Sequence, residues 1–345
     1  MRSRRPSSRP LATTLQKAGA ILIAPVTAGL SLIDRPLRAW QKKTGHGGMA
    51  AVFLLPNMAI FGIFVLFPLA VNFIYSMTGG TALFLADRSF VGAQHYERLA
   101  DCTNYLDTAT CKDDMFWNAV WNTATFVVVQ VALLTVVAMT TALILNRDLR
   151  ARSFWRAVFF FPVLLSPVVV GLIWRWILQR EGLLNLVVVG MGGDQTNWLT
   201  DRNFAFAAAV GVSIWAHVGF YALILLAGLQ AIPKDLYEAA EIDGTRPARV
   251  FWRITLPLLA PNLLVVIVLA LIRAVQVFDE VYVLTGGGPG TSTMYLTQYI
   301  YEIGFASILR NPGLAAAASI MMGGVLVVLT VMQLGLSRRN NRPGR

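Results

Sequence analysis

The sequence predicts an all-α polytopic membrane protein with about six transmembrane helices and both termini in the cytoplasm. Three observations carry this. The 345 residues are 56% hydrophobic and only 14% charged, against about 25% charged in soluble domains. Six apolar stretches each reach the ~20 residues that a helix needs to cross a bilayer. Basic residues cluster in alternate loops, as orientation in a bilayer requires.

The six stretches lie near Met49–Met77, Phe116–Leu145, Phe154–Leu178, Phe204–Leu229, Leu258–Leu284 and Leu314–Leu336. Pro56, Pro68, Pro162, Pro167 and Gly171 fall inside them, where neighbouring helices can re-satisfy the backbone. The N-terminal region carries Arg2, Arg4, Arg5, Arg9, Lys17, Arg35, Arg38, Lys42 and Lys43 against Asp34 alone. Arg147, Arg150, Arg152 and Arg156 follow the second span. Lys234, Arg246, Arg249 and Arg253 follow the fourth, and Arg338, Arg339, Arg342 and Arg345 close the tail. Six crossings put all four basic regions on the cytoplasmic face. The first outer loop is net acidic, with Asp87, Glu97, Asp101, Asp107, Asp113 and Asp114.

The net charge of +11 does not imply nucleic acid, because the basic runs flank apolar segments and form no aromatic-interleaved patch. Ala18–Ile33 is short, contains Pro25 and has basic flanks. We read it as a helix on the inner membrane surface; a seventh span is the alternative. It lacks a small-residue cleavage site, so a signal peptide is not expected. The domain reading is 1–48 as a basic cytoplasmic or interfacial region, 49–337 as the transmembrane domain, and 338–345 as a basic tail. Cys102 and Cys111 are the only cysteines. An oxidising outer face favours a disulfide between them, with two unpaired thiols as the alternative. No metal site is expected.

The loop after the fourth span, residues 233–257, carries most of the information. It contains Glu238-Ala239-Ala240, three residues, Gly244, nine residues, then Ile254, Leu256 and Pro257. Pro233 suits a first helical turn, and Gly244 suits the left-handed position that ends a helix after Asp243. Thr245 is placed to cap a second helix, and Pro257 to break it before the next span. Leu236, Ala239 and Ala240 would give the first helix a small apolar face for docking.

This spacing resembles the signature loop of the permease subunits of bacterial ABC importers, and the match to it is complete. The alternative is an ordinary surface hairpin that binds lipid headgroups. Further stretches resemble the carbohydrate and glycerol-phosphate importers of that family: Phe90-Val91-Gly92 with Tyr96 and Leu99, Phe116–Thr123, Arg156–Pro162 with Ser166–Trp174, and Phe278–Pro289. The resemblance runs from about Val52 to Leu336 and implies an ABC importer permease fold in a bacterial cytoplasmic (inner) membrane. It implies that Glu238, Ala239, Ala240, Asp243, Gly244, Ile254, Leu256 and Pro257 form the coupling hairpin that a partner ATPase grips. It implies a second homologous permease subunit (a heterodimer), two ATPase subunits and an extracytoplasmic solute-binding protein. The chain has no Walker-type loop or catalytic cluster, so it is expected to be no enzyme and to hold no cofactor. ATP and Mg would sit in the partner ATPase. The run Gly286–Gly290 fits the family's outer loop.

Intramembrane polar residues are expensive and mark pathways. Arg273, Gln276 and Glu280 fall at helical spacing on one face of the fifth span. Asp279 and Tyr282 lie near its outer end. Arg273 and an acid one to two turns away form either a pathway constellation or a structural salt bridge. Trp215, His217 and Tyr221 either line the same cavity or anchor the interface, and the anchor reading is preferred. Two rivals predict different features. A secondary transporter driven by an ion gradient needs inverted repeats, which are not seen. A non-transporting scaffold needs no polar stripe in the fifth span. The solute is read as a carbohydrate, with a glycerol phosphate or polyol as the alternative.

Overall fold

The computed structural model describes residues 40–42, 45, 47–48, 50–82, 84–148, 150–308 and 310–340. The Ala18–Ile33 segment, most of the N-terminal basic residues and the last five residues lie outside them. The chain divides into two compact units, Met1–Val71 and Asn72–Arg345. Most of α1 (Ala50–Ser76), with a mean hydropathy of 2.3, belongs to the first.

The described elements are helical throughout. After α1 come α2 (Gln94–Ala100), α3 (Asp114–Asn146), α4 (Arg152–Leu164), α5 (Pro167–Leu178), α6 (Leu183–Gly190) and α7 (Arg202–Gln230). Then come α8 (Lys234–Ile242), α9 (Pro247–Val275), α10 (Asp279–Thr285), α11 (Leu296–Tyr301) and α12 (Pro312–Asn340). Among the described residues, five helices are long and apolar enough to cross a membrane, or six if one bent pair is counted as a single span.

That pair corrects the expectation of one continuous third span. Arg152–Leu164 and Pro167–Gly190 meet at 98°. Leu165 and Ser166 are extended, with ψ of 143° and 135°. Ser166 precedes a proline, whose ring disfavours the helical region for the residue before it. Pro167 then starts α5 at the position where its missing N–H costs nothing.

The second unit is held together by α3, α7 and α9. Gln130 of α3 donates to Ser213 of α7 at 2.9 Å. The buried positions along these helices include several small ones: Ala138, Ala142, Ala209, Ala222, Ala270 and Ala274. Lipid tails are as apolar as leucine, so helix association in a bilayer relies on close van der Waals packing that small residues permit. Larger buried side chains such as Leu134, Leu225 and Leu259 fill the gaps left between the backbones. Gly171 shows how tight this is. A Cβ there would lie 2.7 Å from the Glu280 carbonyl oxygen, so only glycine lets α5 pack on α10.

At the end remote from α8, a disulfide joins Cys102 and Cys111. The end of α2 and the loop the disulfide closes dock on the start of α3: Trp117 Nε1 donates to the Leu99 carbonyl and Trp121 Nε1 to that of Tyr105, both at 2.8 Å. Asp113 caps α3 through Phe116 N–H at 3.1 Å and pairs with Arg98 at 3.3 Å. It also accepts from the Tyr299 hydroxyl at 3.1 Å. Burial, reinforced by the Asp113 carboxylate, pushes the Tyr299 phenol far above its ordinary pKa, so it stays a donor.

Candidate functional site

The chain between α7 and the body of α9 forms a hairpin. Pro233 stands just before α8 as its cap residue rather than inside the first turn. α8 ends in a double-bonded cap: Gly244 N–H donates to Glu241 O at 3.0 Å and Thr245 N–H to Ala240 O at 2.9 Å. This arrangement needs a left-handed residue, and Gly244 supplies it at φ +64°. Thr245 is therefore spent closing α8, and the cap position of the second arm falls to Arg246, with Pro247 following.

Pro257 does not break the second arm, contrary to expectation. Pro247–Val275 is one helix. A wide turn at Phe251–Thr255, in which Leu256 N–H reaches back to Phe251 O, absorbs the missing N–H and the ring of Pro257. The hairpin is thus continuous with the fifth span, and displacement of one end is carried by a single helix.

The faces of α8 also differ from the expected ones. Ala240 is buried, and Tyr237 packs on the core while its hydroxyl bonds Thr255 at 3.2 Å. Ala240 therefore cannot lie on an outward docking face. That face holds Glu238, Ala239, Leu236, Asp243 and Ile242, the last 87% exposed. Helical geometry separates Ala239 from Ala240 by about 100°, which sends one outward and the other in. Among the described residues, Glu238, Arg246, Arg249 and Arg253 make no side-chain hydrogen bond or ion pair. Ile254 is half-buried, Leu256 packs on the core and Pro257 is exposed.

The second constellation sits where α9 ends. The helix stops at Val275, and Gln276–Phe278 leave helical geometry before α10 begins at Asp279. Thr297 Oγ1 donates to the freed carbonyl of Val277, a partner supplied by tertiary contact. The expectation of one continuous helical face through Arg273, Gln276 and Glu280 is thus incorrect. The break itself brings them together: Arg273, Gln276, Asp279 and Glu280 line one cavity of 290 Å³, with Gln130 and Ser213. Tyr282 is not among its lining residues and stacks instead on Phe278, 5.1 Å between ring centroids.

Arg273 and Glu280 also line a second cavity of 310 Å³, walled by Phe220, Tyr221, His217 and the Pro162–Pro167 stretch. His217 and Tyr221 thus belong to a cavity rather than to an interface anchor. Trp215 packs edge-on against Trp174 at 5.5 Å. Arg273 and Glu280 form no ion pair. Arg273 Nε donates to His217 Nε2 at 2.9 Å. Glu280, 5% exposed, accepts from the Ser213 hydroxyl at 3.4 Å, which in turn accepts from Gln130. Gln130 Oε1 is buried with no partner. Gln130, Ser213 and Phe220 were missed from sequence; their signal was polar or aromatic residues at helical spacing in spans two and four.

A family model described as "Binding-protein-dependent transport system inner membrane component" matches residues 134–342. The trehalose/maltose transport system permease protein of Thermococcus litoralis is 35% identical over 83% of this chain and 92% of its own length. The sulfoquinovosyl glycerol transport system permease protein of Agrobacterium fabrum is 32% identical over 88% and 96%. The lactose transport system permease protein of Rhizobium radiobacter is 31% identical over 83% and 93%. A solved bacterial ABC transporter that imports the acidic polysaccharide alginate shares the fold, with a TM-score of 0.72 at 23% identity, covering 88% of this chain and all of that one.

Proposed function

The chain belongs to the family of binding-protein-dependent transport system inner membrane components, and from that premise we propose that it is the pore-forming subunit of an ATP-driven carbohydrate importer. It is a transport component and not an enzyme. A carbohydrate fits because relatives at 31–35% identity are named for trehalose/maltose and lactose transport. A solute-binding protein delivers it on the outer face of a bacterial cytoplasmic membrane. A second, homologous permease completes the pore, and two partner ATPases bind ATP and Mg.

The observation that carries this reading is the hairpin. Glu238, Ile242 and Asp243 stand exposed on the first arm of the hairpin, α8, and the second arm is continuous with a membrane span. A partner gripping α8 can move α9, and the cavity-lining groups at the end of α9 move with it. Alternating access then follows from rocking of the spans around Arg273, Gln276, Asp279 and Glu280. The test is co-purification. Tagged wild type should bring down an ATP-hydrolysing subunit, and Glu238→Arg should not, while its level in the membrane is unchanged. An equal yield of ATPase with Glu238→Arg removes the coupling role.

A further inference from the structure

We propose that His217 is a positioning residue for Arg273 and fills that role only as a neutral imidazole, so that protonating it releases the pathway arginine. The proposal rests on the reading of Arg273 as a pathway residue.

Two neighbours fix the state of the ring. His217 Nδ1 lies 2.8 Å from the carbonyl oxygen of Ser213, one turn earlier on α7. A carbonyl only accepts, so Nδ1 carries the hydrogen. On the other side, Arg273 Nε lies 2.9 Å from Nε2. A guanidinium nitrogen only donates, so Nε2 presents its lone pair. One form of histidine satisfies both, the neutral Nδ1–H tautomer. The imidazolium would set N–H against N–H and two positive charges at hydrogen-bond distance.

The other titratable or charged groups facing the pair are Tyr221 on the same helix, and Asp279 and Glu280 beyond the end of α9. The Pro162–Pro167 stretch adds none. A released guanidinium therefore has two carboxylates along its own cavities to turn to, and neither forms an ion pair with it in this state. Because Arg273 and Glu280 line both cavities, moving the guanidinium from His217 to a carboxylate redraws the wall between them. Histidine is the side chain whose ordinary titration falls in the pH range where such a change is useful.

The experiment has two arms. In the first, the chain in lipid nanodiscs is labelled with ¹⁵N-histidine, and the His217 signals are assigned by their absence in His217→Gln. The Nδ1–H tautomer should dominate near pH 8 in wild type and lose that dominance in Arg273→Ala. A protonated Nε2 in wild type near pH 8 overturns the proposal. This arm needs no partner, so its outcome is separable from the permease reading. In the second, ATP hydrolysis by the assembly purified through this chain is followed from about pH 8 to about pH 5.5. A glutamine amide oxygen accepts from Arg273 at any pH. The ratio of His217→Gln to wild type should therefore rise at least about twofold as pH falls, the change that protonating half of the rings produces. His217→Leu should be low at every pH. Parallel profiles for wild type and His217→Gln, or full activity in His217→Leu, overturn the proposal.

Discussion

The two ends of α9 make opposite use of polar side chains. At the hairpin end, Glu238, Arg246, Arg249 and Arg253 are exposed and bond nothing among the described residues. At the other end, Arg273, His217, Ser213, Glu280 and Gln130 bond one another in a chain. Unpaired charge in water is cheap, so the first group loses nothing by waiting for a partner. A bare charge inside a membrane costs several kcal/mol, about 2.5–3.5 by insertion scales, and Arg273 and Glu280 are each held by a hydrogen bond before any solute arrives. The contrast separates an exposed surface with no bonds of its own among the described residues from a site built around its own network.

The comparison can be broken or sharpened on one readout, ATP-driven uptake by the reconstituted assembly. Glu238→Arg should have the largest effect, a complete loss, with thermal unfolding unchanged because the side chain is exposed and makes no hydrogen bond or ion pair among the described residues. A shift in unfolding would show that the hairpin end is also a structural network. Gly244→Val comes next. A branched residue at φ +64° costs roughly 1–2 kcal/mol, and uptake should fall more than about tenfold through misdirection of α8. Arg273→Ala should lower uptake several-fold while leaving ATPase co-purification intact; loss of assembly would place Arg273 with the hairpin instead. Gly171→Ala should act on the same site from behind. It forces α5 off the Glu280 backbone, costs about 1–3 kcal/mol as overpacking does, and should reduce uptake a few-fold together with thermal stability. Replacing both Cys102 and Cys111 by serine should have the smallest effect, within about twofold. The loop is also held by Trp117, Trp121 and the pair of Lys112 with Asp101 at 3.7 Å. A larger drop would make that loop a functional surface.

The hairpin was largely legible. Gly244 and Pro247 are local punctuation, and their effect depends on neighbours a few residues away. Two of its features were misread for the same reason. Thr245 is an acceptable helix cap, yet its N–H is taken by Ala240. Pro257 is an acceptable break, yet a wide turn carries the helix past it. Each was one of two locally permitted outcomes. The cavity was less legible. Charge marks Arg273 and Glu280, but a shared helical face needs a helix running through both, and this one ends at Val275. No glycine or proline marks that break. It depends on Thr297, twenty residues beyond Val277.

The chain alone determined that it is a bundle of membrane-crossing helices with one polar hairpin, because span length, charge placement and turn chemistry are read within a few residues of each position. Tertiary structure decided which side chains meet: that Arg273 is held by His217 and not by Glu280, and that α5 presses on α10 at Gly171. Those pairings join residues 56 and 108–112 positions apart, as the Arg273–His217 and Arg175–Val283 bonds and the Gly171 contacts record. No local periodicity reports such distances, since they exist only once the helices have packed.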